Sequence, residues 1–521
     1  MSSTRNLLVI LLMLATVTQF ASSATMNETG GPVPPEINIY ANDWPLPNFD
    51  YNNTRFTTHS PINSTSVSNL RLAWSRNITH VGTFGAAVSN PLILGDTIYL
   101  QDGKASVSAI DLKNGSLLWE TSASNTLVLG PNGPAVGWGK VFFARDVYNM
   151  TAVNATTGEE VWSRQISYVP TTGIDIQPAV YDGMVYISTV PGLGDITYPP
   201  GGIGIIYALN QSTGGTVWNF STVDSPDLWG HPEINSGGGC WYTPSIDLKS
   251  GIMFWGTGNP APFVGTPEYP NGASRPGPNL YTNTLLALDH RNGSLQWFTQ
   301  VIPHGLFDYD LQLPPILARA NWNGIDQDIV IAGGKMGRVY GFNRSTGAIL
   351  WETGVGKHQN DQLAALPPGF TQVYPGAVGG IETPMAYADG VVYAAYNNVY
   401  ENWSPIASYD GNVTPYIQPY SEGSGGLVAI ETDTGQILWE RKFDAMDVGG
   451  ATVVNDLVFT GTWSGTLYAF NRTTGEQVWT YQAPDRIIAW PAVANDTLVW
   501  PAGGGFRSNG TPSLIALKVG G

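Results

Sequence analysis

Leu467-Tyr468-Ala469-Phe470-Asn471-Arg472-Thr473-Thr474-Gly475-Glu476-Gln477-Val478-Trp479-Thr480-Tyr481 is two alternating apolar runs separated by a short polar turn. Period-two alternation on both sides of a Gly-containing turn is the pattern of a β-hairpin. Asn and Thr bond locally to backbone amides in such a turn, and Gly475 can take the positive φ that a tight reversal needs. The same form, small-apolar-Asp/Asn-x-x-Thr/Asn-Gly-x-x-x-Trp with Glu431 in place of Asp/Asn in one copy, occurs seven times: Ala109 to Trp119, Ala152 to Trp162, Ala208 to Trp218, Ala287 to Trp297, Gly341 to Trp351, Ala429 to Trp439 and Ala469 to Trp479. Recurrence on this scale marks a repeat architecture, in which each copy buries its apolar faces against its neighbours. The constant spacing predicts that the indole of one unit covers the small residue and turn backbone of the next.

A second phrase recurs ahead of several copies, as in Val180-Tyr181-Asp182-Gly183-Met184-Val185-Tyr186, Tyr387-Ala388-Asp389-Gly390-Val391-Val392-Tyr393 and Val454-Asn455-Asp456-Leu457-Val458-Phe459. It predicts an inner hairpin, so that each unit has four strands. Leu514 to Val519 carries the repeat's Ala516 without a following turn, whereas Leu70 to Ser75 carries Trp74 without a preceding one. Joined, these two ends complete one further unit and close a circle, which removes the exposed sheet edges that an open array keeps. The expectation is an all-β chain, an eight-bladed β-propeller of four-stranded blades with tryptophan-docking repeats. The domains are a signal segment over 1–24, an N-terminal extension over 25–69 and a single propeller over 70–521. An open solenoid is the alternative.

Composition agrees with a turn-rich, helix-poor chain: 62 Gly, 37 Pro and 18 Trp among 521 residues, with 12% charged and 42% hydrophobic. Arg5, the apolar run Leu7 to Leu14 and small residues up to Ala24 have the layout of a secretory signal peptide, with a retained anchor as the alternative. No later segment is apolar enough to span a bilayer. Sequons at Asn27, Asn63, Asn77, Asn149, Asn219, Asn402 and Asn509 fit a secreted or cell-surface glycoprotein, while those at Asn154, Asn343 and Asn471 fall in the repeat, where Asn serves the turn. A formal net charge of −17 argues against nucleic acid and anionic membrane surfaces as partners. The lone Cys240 excludes an internal disulfide framework, a Cys-based zinc site and a covalently attached haem.

Two copies are separated from the next by long insertions, roughly Trp218 to Trp297 and Trp351 to Trp439. Long loops on a rigid scaffold are where function concentrates. The first insertion holds Gly237-Gly238-Gly239-Cys240-Trp241, Gly256-Thr257-Gly258-Asn259-Pro260-Ala261-Pro262 and Pro276-Gly277-Pro278-Asn279-Leu280-Tyr281-Thr282-Asn283. Pro303-His304-Gly305-Leu306-Phe307-Asp308-Tyr309-Asp310 follows. Asp308 and Asp310, two apart on an extended segment, project to the same side with Tyr309 facing away, and a hard cation wants several oxygen donors. Two loop aspartates that are simply solvated are the alternative.

These phrases, with Asp43-Trp44-Pro45, Asn53-Thr54-Arg55 and Gly503-Gly504-Gly505, resemble the active-site segments of the quinoprotein alcohol dehydrogenases that use pyrroloquinoline quinone (PQQ). The resemblance spans nearly all of the chain after the signal segment. It implies that Asn259 is a metal ligand through its amide oxygen and that Asp308 is the catalytic carboxylate beside the metal. It further implies a metal-binding Asp310, as in members that use a lanthanide rather than calcium. Trp241 resembles the indole that stacks on the quinone, with a blade-packing Trp as its alternative. Lys335, in Gly333-Gly334-Lys335-Met336-Gly337, resembles the basic residue at the reactive quinone oxygen, with a solvated turn lysine as its alternative. His304 reads as structural. The implied partners are a small alcohol or polyol and an external electron acceptor such as a separate cytochrome, because no Cys-x-x-Cys-His haem site is present.

Three positions depart from the family pattern. The metal-binding Glu has no counterpart around Ile187 to Asp195, where Asp195 is the one substitute; the vicinal disulfide that caps the quinone is impossible with one cysteine; and Asn132-Gly133 stands where a cofactor-binding Arg is expected. The rival expectation is a propeller that binds neither quinone nor metal and serves as a cell-surface interaction or assembly scaffold, since a fold alone does not decide function.

Overall fold

The structure, a computed structural model, describes residues 32–124, 130–192, 198–409, 411–505, 508 and 510–520. The signal segment, Asp195 and the sequons at Asn27 and Asn509 lie outside the described residues.

Antiparallel sheets with the up-and-down strand order follow one another along the chain, over residues 92–120, 135–165, 179–221, 245–300, 316–354, 386–443 and 452–482. Each begins with a three-residue strand, such as Ala135–Gly137 or Thr452–Val454, except that Ile316–Trp322 has seven. Most of these first strands are buried at every position, whereas fourth strands such as Leu117–Glu120 and Thr216–Ser221 are largely exposed. Burial therefore falls from the first strand to the last, as in an all-β propeller whose sheets radiate from a packed centre. The phrases read as inner hairpins are hairpins: Ala179–Tyr181 pairs with Met184–Pro191 across Asp182 and Gly183, and Ala386–Ala388 with Val391–Asn398 across Asp389 and Gly390.

The last sheet joins the chain ends. Ala492–Ala494, Thr497–Ala502 and Ser513–Val519 receive Leu70–Asn77 as their fourth strand, with Trp74 opposite Ala516. The two incomplete copies in the sequence thus form one sheet.

Indole N–H groups reach from one sheet to the next at seven tryptophans. The Trp74 Nε1–H donates to Leu112 O at 2.9 Å, Trp119 to Ala155 O at 3.0 Å, Trp162 to Gln211 O at 3.0 Å and Trp218 to His290 O at 2.8 Å. Trp297, Trp351 and Trp439 repeat this contact with Arg344, Thr432 and Arg472. Each indole lies flat on the turn glycine of the neighbour, Trp74 on Gly115 and Trp439 on Gly475, so closely that a Cβ there would stand 2.6 and 2.7 Å from the ring. The small residue of the motif has a different job from the one expected. Ala109, Ala208 and Ala469 lie opposite Trp119, Trp218 and Trp479 of their own sheet, each beside a bulge. At Gly341 a Cβ would approach its own sheet's Trp351 to 2.3 Å. The small side chain makes room for its own indole, and only the turn backbone belongs to the neighbour. The turn asparagines act as expected: Asn154, Asn343 and Asn471 each accept the backbone N–H groups two and three residues on.

Residues 32–69 bind several sheets together. Phe56–Thr57 adds a parallel strand to Thr452–Val454. Arg55 is fully buried and donates to Ala451 O, Thr452 Oγ1, Pro491 O and the amide oxygens of Asn48 and Asn90, while Asn53 donates to Pro315 O. With no carboxylate in this set, burial pulls the Arg55 pKa down to about 9. These bonds, with a longer one to Pro47 O, are what make a buried guanidinium tolerable.

Candidate active site

Asn259 stands just past the strand Ile252–Gly256, and Pro260–Ala261 pairs with Ser236–Gly237. This pairing lays the two glycine-rich phrases side by side. Gly258 is a packing requirement, since a Cβ there would lie 2.6 Å from Asp310 Oδ1 and 3.2 Å from Trp241 Nε1. The Asn259 backbone N–H donates to Asp310 Oδ1 at 2.6 Å and its side-chain Nδ2 to Pro260 O at 2.9 Å. Its Oδ1 is buried and has no partner.

Asp308 and Asp310 do project to one side, but through a bend rather than an extended segment: the Tyr309 N–H donates to Phe307 O at 2.9 Å. Tyr309 points away and donates its hydroxyl to Pro375 O. Backbone bonds from Lys335 N to Asp310 O and from Leu311 N to Thr257 O hold the bend between two strand ends. Gly334 is required here too, because a Cβ would collide with Asp310 O at 1.9 Å.

The Lys335 ammonium closes the cluster. It lies 3.1 Å from Asp308, 2.8 Å from Asp310 and 5.9 Å from the centre of the Trp241 ring. Burial pushes Asp308 up to about 6 although Lys335 opposes it, with Asp310 adding a smaller push. For Lys335, burial favours the neutral amine, but Asp308, Asp310 and Glu382 outweigh it and hold the ammonium well above its ordinary range.

Trp241 differs from Trp74, Trp119, Trp162, Trp218, Trp297, Trp351 and Trp439, each of which gives its N–H to a carbonyl of the neighbouring sheet. Its Nε1 is buried without a partner, and its ring stacks on Tyr198 at 6.2 Å and 29°. The residues named from the sequence, Asn259, Asp308, Asp310, Trp241 and Lys335, therefore meet at one place. His304 stays apart and contacts the Gly277 carbonyl.

Residues that sequence reasoning passed over complete the surroundings. Tyr242 donates its hydroxyl to Glu382 O at 2.7 Å, and the Glu382 carboxyl, with one oxygen unpartnered, is pushed up to about 8 by burial against the pull of Lys335. Asp175 is fully buried, accepts one N–H from Gly130, leaves its second oxygen unpartnered and is raised well above its ordinary range by burial. Asn132, at the place of the missing Arg, is also buried with an unpartnered amide oxygen. The signal for Glu382 was a lone carboxylate in the apolar stretch Gly379-Gly380-Ile381-Glu382-Thr383.

Buried polar atoms without partners are few in folded proteins and call for an explanation. Here the Asn259 Oδ1, Trp241 Nε1 and Glu382 Oε1 lie around the Asp308–Asp310–Lys335 cluster, which suits a polar group bound against the indole. Among the described residues no three or more His, Cys, Asp or Glu side chains form a metal-binding group. The donor set is two carboxylates and one amide oxygen. It fits part of the shell of a hard cation, which takes about six to eight oxygens, and leaves positions for a bound ligand.

Comparison with known proteins finds relatives of the same fold along the chain. Residues 169–376 match the family model of the glucose/ethanol/alcohol dehydrogenase β-propeller domain, and residues 71–202 and 421–517 match that of the outer membrane protein assembly factor BamB. The chain is 27% identical over 520 residues to the putative dehydrogenase XoxF of Paracoccus denitrificans, covering 86% of this chain and 84% of the relative. It is 24% identical to the lanthanide-dependent methanol dehydrogenase of Methylorubrum extorquens, covering 85% and 83%. The crystal structure of the quinohemoprotein alcohol dehydrogenase from Comamonas testosteroni superimposes with a TM-score of 0.80 at 23% identity, covering 92% of this chain and 81% of that one. Over most of its length the chain is thus similar to PQQ-dependent, or quinoprotein, alcohol dehydrogenases, and over residues 169–376 it matches their β-propeller domain.

Proposed function

We propose that this protein is a secreted quinoprotein dehydrogenase that oxidises an alcohol with PQQ and a bound calcium or lanthanide ion and passes electrons to an external acceptor such as a separate cytochrome. The observation that carries this reading is the meeting of Asp308, Asp310 and the unpartnered Asn259 Oδ1 at the Lys335 ammonium, beside an indole whose N–H is free. A scaffold has no use for that combination.

In this reading Asn259, Asp310 and Asp308 hold the cation, and Trp241 forms one wall of the quinone slot. The quinone, when bound, supplies the hydride acceptor. Asp308 removes the hydroxyl proton of the alcohol, and its elevated pKa makes it a better base than an exposed aspartate while leaving it ionised at neutral pH. Lys335 holds Asp308 in place and stabilises negative charge developing beside it. The surrounding propeller is read as eight blades docked by tryptophan, with 1–24 removed on export, 25–69 as the extension and 70–521 as the ring.

The second reading, a non-catalytic scaffold, is favoured by the BamB model match at both ends of the chain and by the missing family Glu. Purified protein incubated with PQQ and either calcium or a lanthanide separates the two. Alcohol-dependent dye reduction together with bound quinone supports the dehydrogenase; neither, with either metal, supports the scaffold.

A further inference from the structure

Asn259 is followed at once by Pro260-Ala261-Pro262-Phe263, and Ala261, Pro262 and Phe263 line a cavity of about 190 Å³. Tyr198 and Tyr409 also line it, as do the exposed Pro200 and the half-buried Ile234. The cavity is joined to the site by rings. Tyr198 stacks on Trp241 on one side and meets Phe263 edge-on at 5.3 Å and 88° on the other; Phe263 in turn meets Tyr409 at 5.4 Å and 79°. Phe307 and Tyr309, which flank Asp308, belong to the same apolar cluster as Tyr198 and Phe263.

From this geometry we propose that the alcohol taken by the site is neutral and carries a single aromatic ring, the ring seated among Tyr198, Phe263 and Tyr409 with its hydroxymethyl group towards Asp308. The inference rests on the dehydrogenase reading and narrows it.

The lining, the volume, the charge at the rim and the ring geometry together select this class. Much of the wall is apolar, and two of its hydroxyls have protein partners: Tyr409 gives its hydroxyl to Glu401, and Thr266 Oγ1 accepts the Tyr269 N–H. Extra hydroxyls of a polyol would be buried against Phe263, Pro262 and Ala261 with few partners, which is costly. The volume is below the roughly 300–1,000 Å³ of pockets that hold drug-sized ligands, so one ring fits and an oligosaccharide does not. Glu233 lies at the rim and is exposed, which disfavours an anionic substrate. Edge-on neighbours such as Phe263 suit a further aromatic ring.

The test compares benzyl alcohol, methanol and glycerol on the full chain loaded with PQQ and lanthanum, and measures benzyl alcohol binding to the same chain without quinone by saturation-transfer NMR. Benzyl alcohol is expected to exceed glycerol in kcat/KM by at least about tenfold, the scale on which one apolar contact discriminates. Phe263→Ala should lower kcat/KM for benzyl alcohol about ten- to a hundredfold, more than for methanol. Because Phe263 is buried, Ile234→Trp serves as a second variant at a half-buried lining position and should abolish the NMR signal without altering the thermal melt. Glycerol oxidised as well as benzyl alcohol, or binding unaffected by Ile234→Trp, overturns the proposal while the dehydrogenase reading stands. Ring binding that depends on Ile234 with no alcohol oxidised overturns the dehydrogenase reading, and the substrate assignment falls with it.

Discussion

The Lys335 ammonium lies 2.8 Å from a carboxylate oxygen of Asp310, a residue with no solvent exposure. A second buried carboxylate, Asp308, sits 3.1 Å from the same nitrogen. One lysine therefore compensates two carboxylates, and the balance is what a bound cation would change.

Removing the lysine leaves both carboxylates uncompensated. Breaking a buried pair by deleting one partner costs about 3–5 kcal/mol. Lys335→Met should lower the melting temperature accordingly, and added lanthanum should restore more of the loss than it adds to the wild type. Differential scanning calorimetry with and without the cation checks this; an equal cation effect on both proteins would remove Lys335 from the metal site.

Asp308→Ala should abolish alcohol-dependent dye reduction, since a positioned general base contributes about 10²- to 10⁴-fold. Circular dichroism and the melting curve should remain those of a folded propeller. An active variant would take the base role away from Asp308.

Glu401 offers a pH test at a carboxyl that is not itself one of the proposed metal ligands. It is fully buried, takes the Tyr409 hydroxyl and the Ala377 N–H, and is pushed up to about 8 by burial. A carboxyl whose folded pKa is raised binds its proton more tightly in the folded chain, so its contribution to stability is complete below about 4.5 and is lost as pH rises through about 8. Melting temperature should therefore fall between pH 5 and 8.5, by an amount equivalent to a few kcal/mol. Glu401→Gln should flatten that slope; a variant with the wild-type slope would show that other groups set it.

The tryptophan links between sheets predict a graded effect. Trp439→Phe keeps a ring on Gly475 but loses the bond to Arg472 O, a cost of about 0.5–1.5 kcal/mol. Trp439→Ala also empties the space between two sheets, for about 3–5 kcal/mol. Urea midpoints measure both, and equal losses would mean that the hydrogen bond, not the packing, joins the sheets.

Much of the architecture was legible because it is periodic. The spacing of Gly475 and Trp479, repeated along the chain, is a local instruction: alternation makes strands, the Asn-Thr-Gly turn makes a hairpin, and an indole of fixed phase reaches a neighbour of the same kind. The half-copies at Trp74 and Ala516 declared the closure for the same reason. The small residue before the turn was misread, because sequence spacing does not say whether an indole meets a residue of its own sheet or of the next.

The site divides along the same line. The short phrases around Asn259, Asp308 and Lys335 identified the residues that meet, since each phrase carries its own chemistry. Glu382 and Tyr198 carry no such phrase, and their importance arises only when distant segments bury them near one lysine. By itself the sequence determined the repeating unit, the closing of the ring and the polar residues of the site, all of which depend on neighbours along the chain. Only the tertiary structure decided which carboxyls are raised, which polar atoms lack partners and which rings wall the cavity, because burial and field depend on what the fold brings near.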